Sequence, residues 1–145
     1  MAARPISTVI KHQQLLVAVA KTSVSEAARL MEKHKVGAVM VVDARGQLSG
    51  IFTERDALFR VLAAGRDPAT TLLSAVMTKK PQTIPPDRPV GHALHMMYEN
   101  GFRHVPVVEN GRPVGMISAR DALGPELQEF ESEVQRRQRI GEILG

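Results

Sequence analysis

The stretch VGAVMVVDARGQLSGIFTERDAL at residues 36–58 returns, with changes, as FRHVPVVENGRPVGMISARDAL at residues 102–123. When Asp43 is aligned with Glu109, the two copies lie 66 residues apart, and one residue fewer in the following turn reduces the spacing to 65. The chain therefore contains two copies of one structural unit. Because two units are too few for a solenoid, we expect the halves to face each other across a pseudo-two-fold axis, with a ligand groove between them.

The composition favours one small domain without metal or membrane chemistry. A chain of 145 residues suits a single body, since a half of about 65 residues would bury only a marginal core. The absence of cysteine excludes disulfides and thiolate zinc sites. No apolar stretch approaches the ~20 residues of a membrane span or forms the apolar core of a signal peptide, so we expect a cytoplasmic protein that does not associate with membranes.

The charge pattern disfavours nucleic acid as a partner. The net charge of +4 is modest and spread along the chain, and only one tyrosine and four phenylalanines are available to stack on bases. An RRQR run near the C-terminus lies beside several glutamates and is typical of a solvated face. These features favour a few local anion sites over a nucleic-acid stripe.

Hydrophobic periodicity predicts the order β-α-β-β-α in each copy, and hence an α+β fold. In the first copy we expect strands at 15–19, 38–43 and 48–53, a helix capped by Ser23, and a helix from Glu54 to about Ala64. In the second copy we expect strands at 82–84, 104–109 and 113–118 and a helix through 92–97. The repeats are placed at residues 5–66 and 72–124.

The C-terminal stretch predicts an additional amphipathic helix over residues 126–144. Gly124 and Pro125 interrupt the helix of the second copy, and the apolar residues Leu127, Phe130 and Val134 then fall on one helical face. An amphipathic face is buried against something, so this helix either covers its own module or packs on a second subunit.

The strings GIFTERD and GMISARD each place a hydroxyl three residues before a carboxylate, where a strand becomes a helix. Backbone N–H groups are exposed at such a junction and suit an anionic group. Thr53 or Ser118 can add a hydroxyl donor, and Asp56 or Asp121 can accept hydrogen bonds from the vicinal diol of a ribose. The alternative is that both pairs cap their helices, with the hydroxyl at the N-cap and the carboxylate three residues on.

The repeated unit, these two strings and the FRHVPVVE strand resemble paired cystathionine-β-synthase (CBS) domains over about residues 5–124. The resemblance implies two pseudo-symmetric repeats packed through their sheets into one stand-alone module with two related clefts. It also implies that an adenosine nucleotide such as AMP, ADP or ATP binds there. Asp56 and Asp121 would then hold ribose hydroxyls, while Thr53 and Ser118 approach the ribose or the phosphate.

The resemblance also implies how the rest of each cleft is built. Paired CBS domains set the aspartate of one repeat against residues just before the V-P-V-V-type strand of the other. Those positions are Arg103 and His104 in the second copy and Gly37 and Ala38 in the first. We therefore expect a basic, phosphate-binding cleft at the first aspartate and a neutral cleft at the second.

Further contacts of lower weight follow from the same resemblance. The adenine is expected against the first strand of either unit and the apolar residues of the second strand. Arg55 and Arg120 precede the aspartates and could equally form surface ion pairs. The candidates on the first strands are Val17, Ala18, Ala20, Thr83, Ile84 and Pro85.

No motif in the chain argues for catalysis. The sequence lacks G-x-S-x-G, H-E-x-x-H and a Gly-rich phosphate loop with its lysine, and His92 with His95 lacks a further ligand for a metal. We therefore expect a non-catalytic regulatory module without a catalytic cofactor. Ligand occupancy would be transmitted through rearrangement of the repeats or of a homodimer, to a regulated protein that the sequence does not identify.

Two other functions remain open on the sequence alone. One is a protein-interaction adaptor with vestigial clefts, for which the neutral cleft is an argument. The other is a nucleic-acid-associated accessory protein, for which the high isoelectric point is an argument.

Overall fold

The computed structural model describes residues 4–122, 132, 133, 135–139 and 141. The described positions between 132 and 141 are helical. Most of the helix predicted over residues 126–144 lies outside the described residues, as do Leu127, Phe130 and Val134 of its predicted apolar face. The predicted packing of that face therefore stays a prediction.

Six strands and a set of short helices form the described chain, and the predicted α+β class is confirmed. The elements up to the middle of the chain are α1 (Ile6–Ile10), β1 (Val17–Val19), α2 (Val24–His34), β2 (Ala38–Val42), β3 (Leu48–Thr53), α3 (Glu54–Asp56) and a π-helical segment (Ala57–Leu62). The elements that follow are α4 (Leu73–Val76), β4 (Thr78–Lys79), α5 (Val90–Asn100), β5 (His104–Glu109), β6 (Arg112–Ser118) and a 3₁₀ turn (Ala119–Ala122).

The strands form two sheets, one for each repeat. In the first sheet the order is β1-β2-β3-β4, with β1 parallel to β2 and the other neighbours antiparallel. The second sheet is the antiparallel pair β5-β6, joined by a two-residue turn at Asn110 and Gly111, both of which have positive φ. An Asn-Gly pair suits such a turn because both residues tolerate the left-handed conformation.

The strand predicted at residues 82–84 is wrong in extent, because only Ile84 joins the second sheet. Its N–H donates to the carbonyl of Pro106 at 3.1 Å, and its carbonyl accepts from Val108 at 3.0 Å, in a single parallel bridge. Pro85 and Pro86 follow directly and have no N–H to continue the ladder. The β-α-β-β-α order thus loses most of its first strand in the second copy.

The helix predicted from Glu54 to about Ala64 is present, but only its first three residues are α-helical. From Ala57 to Leu62 the turns are wider, and the N–H of Ala63 donates to the carbonyl of Leu58, five residues back. A π-helical segment of this kind shifts the direction of the side chains that follow it. Leu58 and Leu62 are consequently exposed while Val61 is buried.

Each repeat is completed by the short segment that precedes the other repeat. Helix α1 packs on the second repeat, where Ile6 is fully buried and its N–H donates to the carbonyl of Arg88 at 2.9 Å. Helix α4 packs on the first repeat, where Leu73 is fully buried and its N–H donates to the carbonyl of Thr22 at 2.9 Å. The two repeats are therefore interlocked by exchanged segments.

Two apolar cores result, one under each sheet, and each contains residues from its exchanged segment. The first core consists of Ala18, Val24, Ala27, Met31, Val39, Val41, Phe52, Val61, Leu73, Val76 and Met77. The second core consists of Ile6, Ile84, Val90, Ala93, Met97, Val105, Val107 and Ile117.

We predict that Gly115→Ala weakens the seating of α1 on the second repeat. A β-carbon at Gly115 would lie 2.7 Å from both Cβ and Cγ2 of Ile10, so α1 would have to move. We expect the free energy of unfolding in urea to fall by about 1–3 kcal/mol, as in other overpacked cores. The control is Gly91→Ala on α5, where a β-carbon meets no atom within 4 Å and the free energy should rise by up to about 1 kcal/mol. Equal effects of the two variants would contradict this account.

Candidate functional site

A cavity of about 990 Å³ opens between the two repeats. Its second-repeat wall comes from the start of β5, the end of β6 and the 3₁₀ turn. Its first-repeat wall comes from the end of α2, the start of β2, the start of α3 and the segment leading into β1. The polar residues on these two walls include Lys35, Glu54, Arg103, His104, Ser118 and Asp121.

In the second repeat, Ser118 and Asp121 form an open acceptor at the edge of this cavity. The backbone N–H of Ser118 donates to Oδ2 of Asp121 at 2.7 Å, and the Ser118 hydroxyl donates to the same oxygen at 3.0 Å. Both bonds fall on Oδ2, so the carboxylate is oriented through one oxygen. Within residues 4–122 no group donates to the other oxygen, Oδ1, which can therefore accept from a ligand.

In the first repeat, Thr53 and Asp56 form a reciprocal capping box. The Thr53 hydroxyl accepts from the backbone N–H of Asp56 at 3.2 Å, and Oδ2 of Asp56 accepts from the backbone N–H of Thr53 at 3.0 Å. The capping alternative raised from the sequence is thus observed for this pair. It is not observed for Ser118, whose hydroxyl donates to the aspartate instead of accepting from the backbone.

The second oxygen of Asp56 is also occupied. Its Oδ1 lies 3.5 Å from Nε of Arg60, whose Nη1 in turn donates to the carbonyls of Val76 and Met77 at 3.2 and 3.3 Å. This chain of contacts ties the π-helical segment to the end of α4. At the corresponding position of the second copy, 65 residues on, the sequence has Pro125, which carries no cation. Asp121 therefore lacks the intrahelical ion pair that Asp56 has.

The structure groups the predicted basic residues differently from the sequence expectation. Arg103 and His104 line the cavity together with Ser118 and Asp121, whereas Thr53 and Asp56 do not line it. The carbonyl of Arg103 accepts from the N–H of Ala119 at 3.0 Å, which holds the start of β5 beside the 3₁₀ turn. Because His104 pairs with Ser118 across β5 and β6, the two side chains lie on the same side of the sheet, and the Asp121 carboxylate acts on the His104 imidazole.

The neutral residues predicted for the second cleft are Gly37 and Ala38, and both line the same cavity from the first repeat. One cavity thus combines the neutral pair of the first copy with the basic pair of the second.

His104 is half-buried in the cavity wall, and burial lowers the pKa of its imidazole below the ordinary 6.5. Arg103 also acts in this direction, while the nearby carboxylates of Glu54 and Asp121 oppose it without reversing it. His104 is therefore neutral at pH 7 in the unliganded protein.

Glu54 is a cavity residue that the sequence analysis overlooked. It begins α3, where its N–H donates to the carbonyl of Gly37 at 2.9 Å, and its side chain turns back over that glycine. A β-carbon on Gly37 would lie 2.8 Å from Oε1 of Glu54 and 3.2 Å from Cε1 of His104. One feature of the sequence could have drawn attention to it: Glu54 corresponds to Ala119, so the charge at this position differs between the copies.

The remaining predicted residues divide into one that lines the cavity and several that do not. Arg120 lines it, but Arg55 donates to the carbonyl of Gly101 at 3.2 Å and lies over the ring of Phe59. The first-strand candidates are absent from the lining, which instead uses Leu15 and Leu16 just before β1. The candidates outside the lining are Val17, Ala18, Ala20, Thr83, Ile84 and Pro85.

Neither a metal site nor a membrane span is present in residues 4–122 and the described positions after 131. No group of three histidine, aspartate or glutamate side chains is arranged there to hold a metal ion. No helix in that part of the chain is long and apolar enough to cross a membrane.

Comparison with protein families gives two matches within the chain. The model of the CBS domain matches residues 7–63 and again residues 73–124. These ranges correspond to the two copies recognised in the sequence.

Curated relatives contain the same pair within longer proteins. The CBS domain-containing protein CBSCBSPB2 of Arabidopsis thaliana is 38% identical over 110 residues, which cover 76% of this chain and 20% of the relative. The mitochondrial protein CBSX3 of the same plant is 35% identical over 118 residues, which cover 79% of this chain and 57% of the relative. This chain thus spans between a fifth and somewhat over half of the length of these relatives.

Solved structures share the fold. A CBS-domain protein of Agrobacterium tumefaciens, ATU1752, superposes with a TM-score of 0.75 at 34% identity, covering 83% of this chain and 97% of that one. The CBS domain pair of protein MJ0100, solved in complex with 5-methylthioadenosine and S-adenosyl-L-methionine, superposes with a TM-score of 0.75 at 26% identity, covering 91% and 99%. Since both of its repeats match the family and the fold recurs in solved CBS pairs, this chain belongs to the CBS-domain family.

Proposed function

We propose that this CBS pair is a regulatory module that binds an adenosine-containing nucleotide, such as AMP, ADP or ATP, in the cavity between its repeats. The observation that carries the proposal is that one carboxylate oxygen of Asp121 has no donor among residues 4–122 and that Asp121 shares the cavity with Arg103 and His104. A carboxylate acceptor suits the two hydroxyls of a ribose, and a guanidinium suits a phosphate.

The remaining walls suit the base. Leu16, Ala38 and Met116 line the cavity and supply apolar surface against which a purine ring can lie. The complex of the MJ0100 CBS pair with two adenosine compounds supports this class of ligand.

In this proposal the first-repeat pair, Thr53 and Asp56, is a secondary site at most. Its hydroxyl and both carboxylate oxygens are engaged within the chain, so a ligand would have to displace the capping box and Arg60. The dominant site is therefore at Asp121, whereas the sequence favoured Asp56.

Regulation follows if the ligand contacts both repeats. A nucleotide held by Asp121 on one side and by the β2 start on the other favours one relative placement of the two repeats. It shifts the equilibrium only in proportion to its differential affinity for the two placements. This mechanism requires no catalytic group, and CBS domains in general serve as regulatory modules.

We predict that Asp121→Ala lowers the affinity for AMP, ADP or ATP by about 10- to 100-fold, the loss expected for hydrogen bonds to a charged group. Asp56→Ala should lower the affinity much less and mainly reduce thermal stability, since it removes a capping box and an ion pair. Calorimetric titration of both variants measures the first effect, and thermal unfolding measures the second. Affinity lost only in Asp56→Ala would overturn the assignment of the dominant site.

We predict that the affinity for phosphate-bearing ligands rises as the pH falls from 8 to 6. His104 is neutral in the free protein because its pKa is lowered, and a bound phosphate favours its protonated form, so binding takes up a proton. Unliganded stability should change in the opposite sense. In the unfolded chain this histidine takes up a proton near pH 6.5, whereas in the folded protein it does so only at lower pH. The free energy of unfolding should therefore decrease as the pH is lowered below about 6.5.

Titration calorimetry at several pH values in the wild type and in His104→Gln tests this prediction. The variant keeps a hydrogen-bonding side chain that cannot ionise, and it reports the contribution of the nucleotide's own phosphate ionisation. Equal pH dependence in the two proteins would contradict the assigned role of His104.

We also propose that the module forms a homodimer through the outer face of the π-helical segment. Leu58, Phe59 and Leu62 are 50%, 56% and 73% exposed there, although all three are large and apolar. Adjacent exposed apolar side chains indicate a contact surface, and a two-fold axis would bring this surface against itself in a second copy.

Leu62→Glu is predicted to convert such a dimer into a monomer without unfolding it, because the side chain is largely exposed and the substitution places like charges across the axis. Light scattering of the purified protein, with and without nucleotide, measures the mass. The matched control is Tyr98→Glu on α5, where an isolated side chain is 88% exposed. A wild-type protein that is monomeric under both conditions would remove the dimer from the proposal.

A further inference from the structure

Glu54 lines the cavity that also holds Arg103 and His104. Measured from the same point above Gly37, its Oε1 lies 2.8 Å away and Cε1 of His104 lies 3.2 Å away. The two side chains are therefore within about 6 Å of each other, a range in which charges interact appreciably. Glu54 is exposed as well as lining the cavity.

The charged groups on the cavity wall are balanced. Leaving its two histidines aside, the wall carries as many carboxylates as cations. The cations are Lys35, Arg103 and Arg120, and the carboxylates are Glu32, Glu54 and Asp121. A cavity built for a polyphosphate would be expected to carry a cationic excess, since each phosphate adds negative charge.

We propose that Glu54 is a specificity-determining residue that limits the negative charge of the ligand, so that the cavity favours adenosine compounds with one phosphate or none over ATP. This inference rests on the proposed function and adds the ligand's charge to it. The mechanism is repulsive. A carboxylate beside the phosphate-binding groups costs little for a single phosphate held by Arg103, but it repels additional phosphates that extend beyond it.

The repeat itself supplies a comparison for this role. The residue of the second copy that corresponds to Glu54 is Ala119, which also lines the cavity but has no charge. The backbone N–H groups of both residues donate to equivalent carbonyls, those of Gly37 and Arg103. The backbone position is therefore the same in the two copies. A carboxylate suits the first turn of α3, but the backbone geometry does not require it, because Ala119 occupies the equivalent position without one.

The test is the affinity series adenosine, AMP, ADP and ATP, measured by titration calorimetry at pH 7.5 without divalent cations. In the wild type we expect affinity to decrease from AMP to ATP. In Glu54→Gln, which keeps the size and polarity of the side chain, we expect the affinity of ATP relative to adenosine to rise about three- to tenfold. That range corresponds to removal of one charge that lies within about 6 Å of His104 and is partly screened by solvent.

The matched control is Glu109→Gln, which removes one carboxylate at the end of β5, outside the cavity. It raises the net charge of the chain from +4 by the same one unit and should leave the relative affinities of the four compounds as in the wild type. Binding of the series with the same relative affinities in the wild type and Glu54→Gln would overturn the inference while leaving the proposed function standing. Absence of binding by all four compounds to the wild type would overturn both.

Discussion

The exchange of leading segments between the repeats is the constraint on which the rest of the structure depends. Ile6 completes the core of the second repeat and Leu73 that of the first, so neither core closes without chain from outside its own repeat. The segment after α1 is held to β6 by two hydrogen bonds between Gln13 and the backbone of Met116. It then crosses to the first repeat, where Leu16 packs on the core. This crossing forms one wall of the cavity.

The two copies keep one backbone and have diverged in the side chains that carry charge. In the first copy the aspartate is used internally, by a capping box and by Arg60, which also holds the carbonyls at the end of α4. In the second copy Pro125 stands in place of that arginine, and the aspartate faces the cavity. The hydroxyl-x-x-carboxylate pattern thus stabilises the start of a helix in the first copy, and we propose that it binds a ligand in the second.

The repeat, the α+β class and most strands could be predicted from the sequence, because hydrophobic periodicity and the 65-residue repeat are visible without knowledge of three-dimensional contacts. The loss of Gln82 and Thr83 from the predicted strand depends on the facing strand, where Pro106 has no N–H to donate to the carbonyl of Gln82. The grouping of His104 with Asp121 could not be predicted, because it depends on strand pairing and on the placement of the repeats. The same limit applies to Glu54, which enters the cavity only because Gly37 leaves room for its side chain.

The crossed segments also bear on how such a pair could arise from a single unit. A chain containing only one copy would present a leading helix with an apolar residue in the position of Ile6 or Leu73, and a sheet lacking the helix that covers it. Two such chains could each place their leading helix on the sheet of the other, as in a domain-swapped dimer. Fusion end to end then preserves every contact of that dimer and makes the exchange independent of concentration. After fusion the two repeats can accumulate different substitutions, so that a symmetric dimer can give rise to one chain whose two repeats differ.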